Sequence, residues 1–141
     1  MSITTELRND HAELVRYIGQ LRQIISRPKA PASIEMFQFR HGFTKTVLAH
    51  LTTEDWVLYP AMLRSTDGEV VATAKRFMDE MGGLRDTYKA WLARWPTDAI
   101  GDEWAAFVIE TSSLLDSLSN RIQRENYELY PLVDGDVAQA A

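Results

Sequence analysis

The chain has 141 residues, of which 45% are hydrophobic and 25% are charged, a balance typical of one folded globular domain. Its formal net charge of −5 provides no basic surface, so neither nucleic acid nor an anionic membrane is an expected partner. Cysteine is absent, which excludes disulfides, zinc–thiolate sites and thiol catalysis and leaves histidine and carboxylate as metal ligands. The polar N-terminus and the lack of a membrane-length apolar run predict a soluble, cytoplasmic protein.

Two long helices are predicted in the first half of the chain, because apolar residues recur there at helical spacing. The first runs over about residues 4 to 26 and stops before a proline-containing stretch. The second runs over about residues 33 to 63, with Ser33 as its predicted N-cap. Pro60 lacks a backbone donor and should kink or thin the last turn of this helix.

Two further helices are predicted in the second half. The third covers about residues 69 to 95, and Gly82 and Gly83 interrupt it. Each glycine costs roughly 1 kcal/mol relative to alanine in a helix interior, so we expect either a compensating contact or a bend there. The fourth helix runs to about residue 132, with Asp102 as its predicted cap. Four helices of this length with short connections favour an all-α, antiparallel up-down-up-down four-helix bundle.

Ionisable residues fall on the apolar stripes of three of these helices, where burial is costly unless the groups pair or bind a metal. In an up-down-up-down bundle the start of the first helix meets the ends of the second and fourth, so these side chains should converge. His50 and Glu54 stand four residues apart on one face of the second helix. An imidazole together with a carboxylate suits iron, manganese or zinc. The five residues are His11, His50, Glu54, Arg121 and Glu125.

Two eleven-residue stretches repeat part of this pattern, HLTTEDWVLYP at residues 50–60 and RIQRENYELYP at residues 121–131. Together with Asp10 and His11 they resemble the hemerythrin-like family, also called the HHE cation-binding domain, over nearly the full chain. The resemblance implies a bundle in which each helix brings a histidine to a pair of irons that two carboxylates bridge. The ligands that it implies in this chain are His11, His50, Glu54 and Glu125.

The chain departs from the family pattern in its second half. When the two halves are aligned, Met81 and Arg121 stand where the first half has its histidines, which leaves half of a dinuclear site. Arg121 can lie between Glu54 and Glu125 and supply the positive charge of an absent iron. Alternatively, Arg121 turns to solvent and a single ion binds the four remaining ligands. We favour the first arrangement, because an arginine one turn from a ligand repels a divalent cation.

Three functional hypotheses follow, none of them enzymatic, because no nucleophile with a matched base is recognisable. The first is a regulatory or sensor domain, metal-free or with at most one metal, that acts through an unidentified protein partner and can form a homodimer. The second is a metal-binding protein that handles iron or dioxygen. The third is a histidine phosphotransfer module at His41, which falls on the opposite face of the second helix beside Arg40 and Lys45.

Overall fold

The computed structural model describes the backbone of residues 2–140 and the side chains of residues 2–137. Two π-helical turns, Glu54–Leu58 and Glu125–Leu129, each continue an α-helix into a shorter one. The α-helices are α1 (Ile3–Ile25), α2 (Ser33–Thr53), α3 (Tyr59–Leu63), α4 (Gly68–Met81), α5 (Leu84–Arg94), α6 (Trp104–Arg124) and α7 (Tyr130–Ala140).

These elements form four long helical segments, α1, α2 with α3, α4 with α5, and α6 with α7, which pack against one another. The predicted all-α four-helix bundle is therefore confirmed, and the part of the chain that the structure describes contains no strand. Among the same residues, none of the helices has the length and apolar character that a membrane span requires.

Both predicted helix caps are wrong. Ser33 is the first residue of α2 rather than its N-cap, and its hydroxyl donates a 3.4 Å hydrogen bond to the carbonyl of Thr97. Asp102 lies in a short 3₁₀ turn, and α6 starts only at Trp104. The indole of Trp104 donates to the carbonyl of Arg27 at 3.1 Å. Contacts across this end of the bundle therefore fix both helix starts, which a local capping rule does not take into account.

The predicted bend in the third segment is a complete break between α4 and α5. The amide of Gly82 donates a 2.8 Å hydrogen bond to the carbonyl of Met78, which ends α4. A side chain at Gly82 would clash with that carbonyl, so the tight turn requires glycine at this position. The irregularity expected at Pro60 takes a different form, since a wider π-helical turn lies immediately before Tyr59 and Pro60.

The apolar core consists of two clusters with a polar layer between them. On α1, Leu14 belongs to the larger cluster and Leu7 to the smaller one, and His11 lies between them. The same order recurs along the other segments. On the segment of α2 and α3, Val47 belongs to the larger cluster and Leu58 to the smaller one, and the polar residues His50 and Glu54 lie between them. Because both sides of this layer are closed by packed side chains, its polar groups are shielded from water.

Candidate metal centre

The five ionisable residues that the sequence singled out meet in one buried cluster. His11 comes from α1, His50 from the end of α2 and Arg121 from α6, and Glu54 and Glu125 are the first residues of the two π-helical turns. Each of the five is at most 2% exposed. One ligand atom from each histidine and each glutamate lies within 4.8 Å of the others, so the four predicted ligands do converge.

The ligand atoms of these four residues lie close together. Nε2 of His11 lies 3.0 Å from Nε2 of His50 and 3.0 Å from Oε1 of Glu125. Nε2 of His50 lies 3.1 Å from Oε1 of Glu54. Two ligands at right angles about an ion, with bonds of about 2.1 Å, are separated by about 3.0 Å. Imidazole and carboxylate ligands suit iron, manganese or zinc, so the four residues could hold one such ion if the widest pairs, up to 4.8 Å apart, moved closer together.

The two histidines are oriented by hydrogen bonds on their outer nitrogens. Nδ1 of His11 lies 2.7 Å from the side-chain oxygen of Asn126, and Nδ1 of His50 lies 3.0 Å from a carboxylate oxygen of Asp10. Outer partners of this kind direct the opposite nitrogen of each ring at a metal. Asp10 was part of the sequence motif, whereas the role of Asn126 was not predicted.

The guanidinium of Arg121 lies between the two glutamates. Its Nε donates to Oε2 of Glu125 at 3.0 Å, and its Nη2 donates to Oε1 of Glu54 at 3.1 Å. Nη2 also donates to Asp55 at 3.2 Å, and Nη1 donates to the backbone carbonyl of Met81 at 3.2 Å. Met81 is the last residue of α4, where the helix dipole favours a positive charge. The break after α4 thus adds a further acceptor for the arginine.

Met81 holds Arg121 through its backbone and offers no ligand equivalent to His11. Its sulfur lies 3.8 Å from Nδ2 of Asn120, and its side chain packs against the smaller apolar cluster. The two positions where the second half of the sequence lacks histidine are therefore occupied by a packing residue and by a cation. A second ion would have to displace the guanidinium.

Two buried tyrosines complete the cluster, and the sequence reasoning missed both of them. The hydroxyl of Tyr130 donates to Oε2 of Glu54 at 2.6 Å and lies 3.1 Å from Nε2 of His11. The hydroxyl of Tyr59 donates to Oε2 of Glu125 at 3.0 Å. Each repeated stretch therefore supplies one glutamate and one tyrosine that binds the glutamate of the other stretch. The shared Leu-Tyr-Pro ending was the available signal.

Comparison with known families agrees with this geometry. Residues 2–133 match the hemerythrin HHE cation binding domain. The chain belongs to this family. The family binds metal ions, typically iron, and its domains generally serve binding or sensing. A comparison with curated proteins gave no match, and neither did a comparison with solved structures.

The two glutamates of this HHE domain differ in their electrostatic surroundings. Burial raises the pKa of Glu54, the charge of Glu125 raises it further, and His50 and Arg121 only partly oppose this. For Glu125, burial acts in the same direction, but the hydrogen bond with His11, the nearby ring of His50 and the charge of Arg121 hold its pKa well below the usual range. Glu125 is therefore the firmly ionised member of the pair, and Glu54 takes up a proton more readily.

The surroundings of His50 favour its protonated form when no metal is bound. Burial alone would lower its pKa, but the hydrogen bond to Asp10 and the nearby carboxyl groups of Glu125 and Glu54 raise it to about 11. With Arg121, whose pKa the neighbouring glutamates raise despite its burial, the centre holds two cations opposite its two buried carboxyl groups. A metal binds a histidine only after the ring nitrogen has lost its proton, so an ion and the proton on His50 compete.

The space beside the cluster in this HHE domain is small and apolar. A cavity of about 10 Å³ adjoins His50, Arg121 and Glu125, and the rest of its wall is leucine, valine and isoleucine. That volume is about the size of one water molecule. A second ion with its own water ligands does not fit there while Arg121 keeps its position.

His41 takes no part in this centre. It is exposed on α2, three turns before the end that carries His50, and it lines a surface cleft with Arg40 and Lys45. The guanidinium of Arg40 does not extend into solvent but donates to the backbone carbonyls of Trp95 and Leu92. A phosphotransfer role for His41 stays a prediction.

Proposed function

We propose that this HHE domain is a regulatory or sensor domain in which Arg121 takes the place of a second metal ion and which acts through a protein partner. The observation that carries the proposal is the guanidinium between Glu54 and Glu125, with Nη2 and Nε at 3.1 and 3.0 Å from their oxygens. A permanent cation in this position balances the carboxylates that would otherwise bridge two ions.

The polar groups of the centre are also satisfied without any added group. Among the described residues, no buried side-chain nitrogen or oxygen lacks a hydrogen-bond partner. Buried polar networks stabilise a fold only when every member is paired, and this network meets that condition. These pairings support the proposal that the protein folds around Arg121 without needing a metal.

A second candidate function is a single-ion centre that handles iron or dioxygen. It is favoured by the outer hydrogen bonds of His11 and His50, which leave both Nε2 atoms facing the two glutamates. In that state His11, His50, Glu54 and Glu125 would hold the ion, and His50 would have given up its proton. An iron bound there would supply redox chemistry, and Asp10 and Asn126 would keep the two rings oriented.

The route from the centre to a protein partner is proposed to be the two π-helical turns. Trp56 and Tyr127 occupy matching positions in the repeat, two residues after Glu54 and Glu125, and they are 71% and 80% exposed. Each glutamate therefore lies within one turn of a large exposed aromatic side chain. A change in the bonding of that glutamate would occur next to this side chain. Large exposed aromatic side chains are enriched where proteins meet partners.

Elemental analysis tests the metal content directly. The protein is expressed with added iron and purified without a histidine tag or chelator, beside the variant Glu54→Ala, which removes one of the four candidate ligands. We expect the wild type to contain no iron or well below one equivalent. One full equivalent that disappears in Glu54→Ala would favour the single-ion candidate. Two equivalents in the wild type would contradict both proposals.

A fluorescence experiment tests the route to the surface. Tryptophan emission and hydrogen exchange of residues 54–58 and 125–129 are compared between wild type and Glu54→Gln, both in chelator. The regulatory proposal expects both turns to respond to a change at a single glutamate. Unchanged exchange in both turns would contradict a link between the centre and the exposed aromatic residues.

A further inference from the structure

A surface cleft between α2 and α5 has the composition of an anion-binding site. It has a volume of about 350 Å³, within the range of small-molecule sites. Five of its residues come from α2, and the others come from α5 and from the loop that follows α5. The lining residues are Phe37, Arg40, His41, Thr44, Lys45, Leu92 and Thr97.

Arg40 is the reason to expect an anion in this cleft. The residue is only 9% exposed, and its guanidinium contacts the carbonyls of Trp95 and Leu92 and the ring of Trp91. No carboxylate of the described residues forms an ion pair with it, and burial lowers its pKa. A nearly buried cation without a counter-ion is costly, and an anion that enters the cleft would remove part of that cost.

Two further side chains direct positive charge or hydrogen-bond donors at the same opening. His41 and Lys45 are exposed, and in the described part of the chain neither forms an ion pair with a carboxylate. Arg40, His41 and Lys45 therefore place three groups that can donate to an anion at one opening, on a protein whose net charge is −5.

The remaining walls of the cleft are apolar. Phe37 is 57% exposed, and Leu92 lies partly buried on the opposite element. Thr44 also lines the cleft, and its hydroxyl lies 2.9 Å from the hydroxyl of Tyr88. Charged donors beside apolar walls select a ligand with one anionic group and one apolar group.

We propose that this cleft binds a small organic anion, whose charged group accepts hydrogen bonds from Arg40, His41 and Lys45 and whose apolar group packs against Phe37 and Leu92. The charge-assisted hydrogen bonds supply orientation, and the exposed ring of Phe37 supplies apolar contact area. The site is separate from the metal centre and does not depend on the metal content of the protein.

Calorimetric and NMR titrations test the proposal with phenyl phosphate, benzoate and inorganic phosphate as probes. We expect the wild type to bind at least one of the two aromatic anions more tightly than inorganic phosphate, with amide shifts confined to residues 37–45 and 92–97. Lys45→Gln should weaken binding about tenfold, the worth of one charge-assisted hydrogen bond. Phe37→Ala should weaken the aromatic anions but leave inorganic phosphate unchanged.

Lys89→Gln is the matched control, because it removes an exposed lysine of α5 that does not line the cleft. It should bind the probes as the wild type does. Three results would overturn the proposal: no binding of any probe by the wild type at millimolar concentration, equal losses in Lys45→Gln and Lys89→Gln, or amide shifts spread over the whole surface. Circular dichroism confirms that each variant is folded before it is titrated.

Discussion

Arg121 and His50 bind the same oxygen of Glu54. Nη2 of the arginine and Nε2 of the histidine each lie 3.1 Å from Oε1. A metal at the four-ligand site would need that oxygen, so it would have to displace at least one of the two cations. The affinity of the centre for metal is therefore set by the strength of its internal ion pairs.

Removal of Arg121 should strongly destabilise the metal-free protein. In Arg121→Met the carboxyl groups of Glu54 and Glu125, both fully buried, lose their permanent counter-ion. Breaking a buried ion pair on one side typically costs about 3–5 kcal/mol. The free energy of unfolding, measured in urea with chelator present, should fall by about that amount.

The control for this variant is Arg124→Met, one turn later on the same segment. Arg124 pairs with Glu80 and Glu128 at the surface, where such pairs contribute at most about 1 kcal/mol because of solvent screening. Equal losses in the two variants would mean that the buried pairs of Arg121 contribute no more than surface pairs.

Neutral replacement of the two glutamates should have unequal effects. Burial and the charge of Glu125 raise the pKa of Glu54, so Glu54→Gln replaces a group that accepts a proton readily. The pKa of Glu125 is held low, so Glu125→Gln removes a charge that His11, His50 and Arg121 stabilise. We expect the second variant to lose more stability, by about 1.5–3 kcal/mol, the typical contribution of a hydrogen bond to a charged group. The reverse order in urea unfolding at neutral pH would show that the ionised glutamate is Glu54.

The pH dependence of stability should reveal the charge on His50. In the unfolded chain the pKa of histidine is about 6.5, and in the folded protein that of His50 is about 11. The folded state therefore keeps a proton that the unfolded state has lost, and the associated stability is fully present below about pH 6.5 and lost as the pH rises toward 11.

Between about pH 7.5 and 9.5 the metal-free wild type should lose about 1.4 kcal/mol of unfolding free energy per pH unit relative to His50→Gln. His41→Gln removes an exposed histidine outside the cluster and should keep the wild-type slope. Parallel curves for wild type and His50→Gln would contradict a protonated His50 in the folded state.

Helical periodicity was sufficient to predict which side chains meet at the centre, because His50 and Glu54 lie four residues apart on one face. The same periodicity could not predict that Tyr59 and Tyr130 bind the two glutamates of the centre. In an α-helix a residue five positions after Glu125 lies about 140° away around the axis. The π-helical turn bonds the amide of Tyr130 to the carbonyl of Glu125 and so brings the two residues back to the same side.

The acceptor from Met81 could not be predicted for a different reason. Its carbonyl is available to Arg121 only because α4 stops at this residue, and Gly82 in the sequence is equally compatible with a bend that keeps the helix intact. The predictions of the two helix caps were wrong for a similar reason. Contacts with Thr97 and Arg27 across the bundle end decide where α2 and α6 begin. Local rules describe single segments and do not include such contacts.

Restoring both histidines should allow the domain to bind two metal ions. In the alignment of the two halves Asp55 corresponds to Asn126, which binds Nδ1 of His11, and Glu80 corresponds to Asp10, which binds Nδ1 of His50. Acidic side chains therefore already stand where outer partners for histidines at positions 81 and 121 are needed. We expect Met81→His with Arg121→His to bind two iron equivalents per chain, measured by elemental analysis and by a visible absorption that the wild type lacks.

The matched control is Met81→Leu with Arg121→Gln, which removes the same cation and the same sulfur but adds no ligand. It should bind at most one ion, through His11, His50 and the two glutamates. If this control takes up as much iron as the double-histidine variant, the charge of Arg121 alone limits the metal content and the missing histidines do not matter. If Arg121→His alone reaches two equivalents, position 81 needs no histidine and another group of the chain completes the second site.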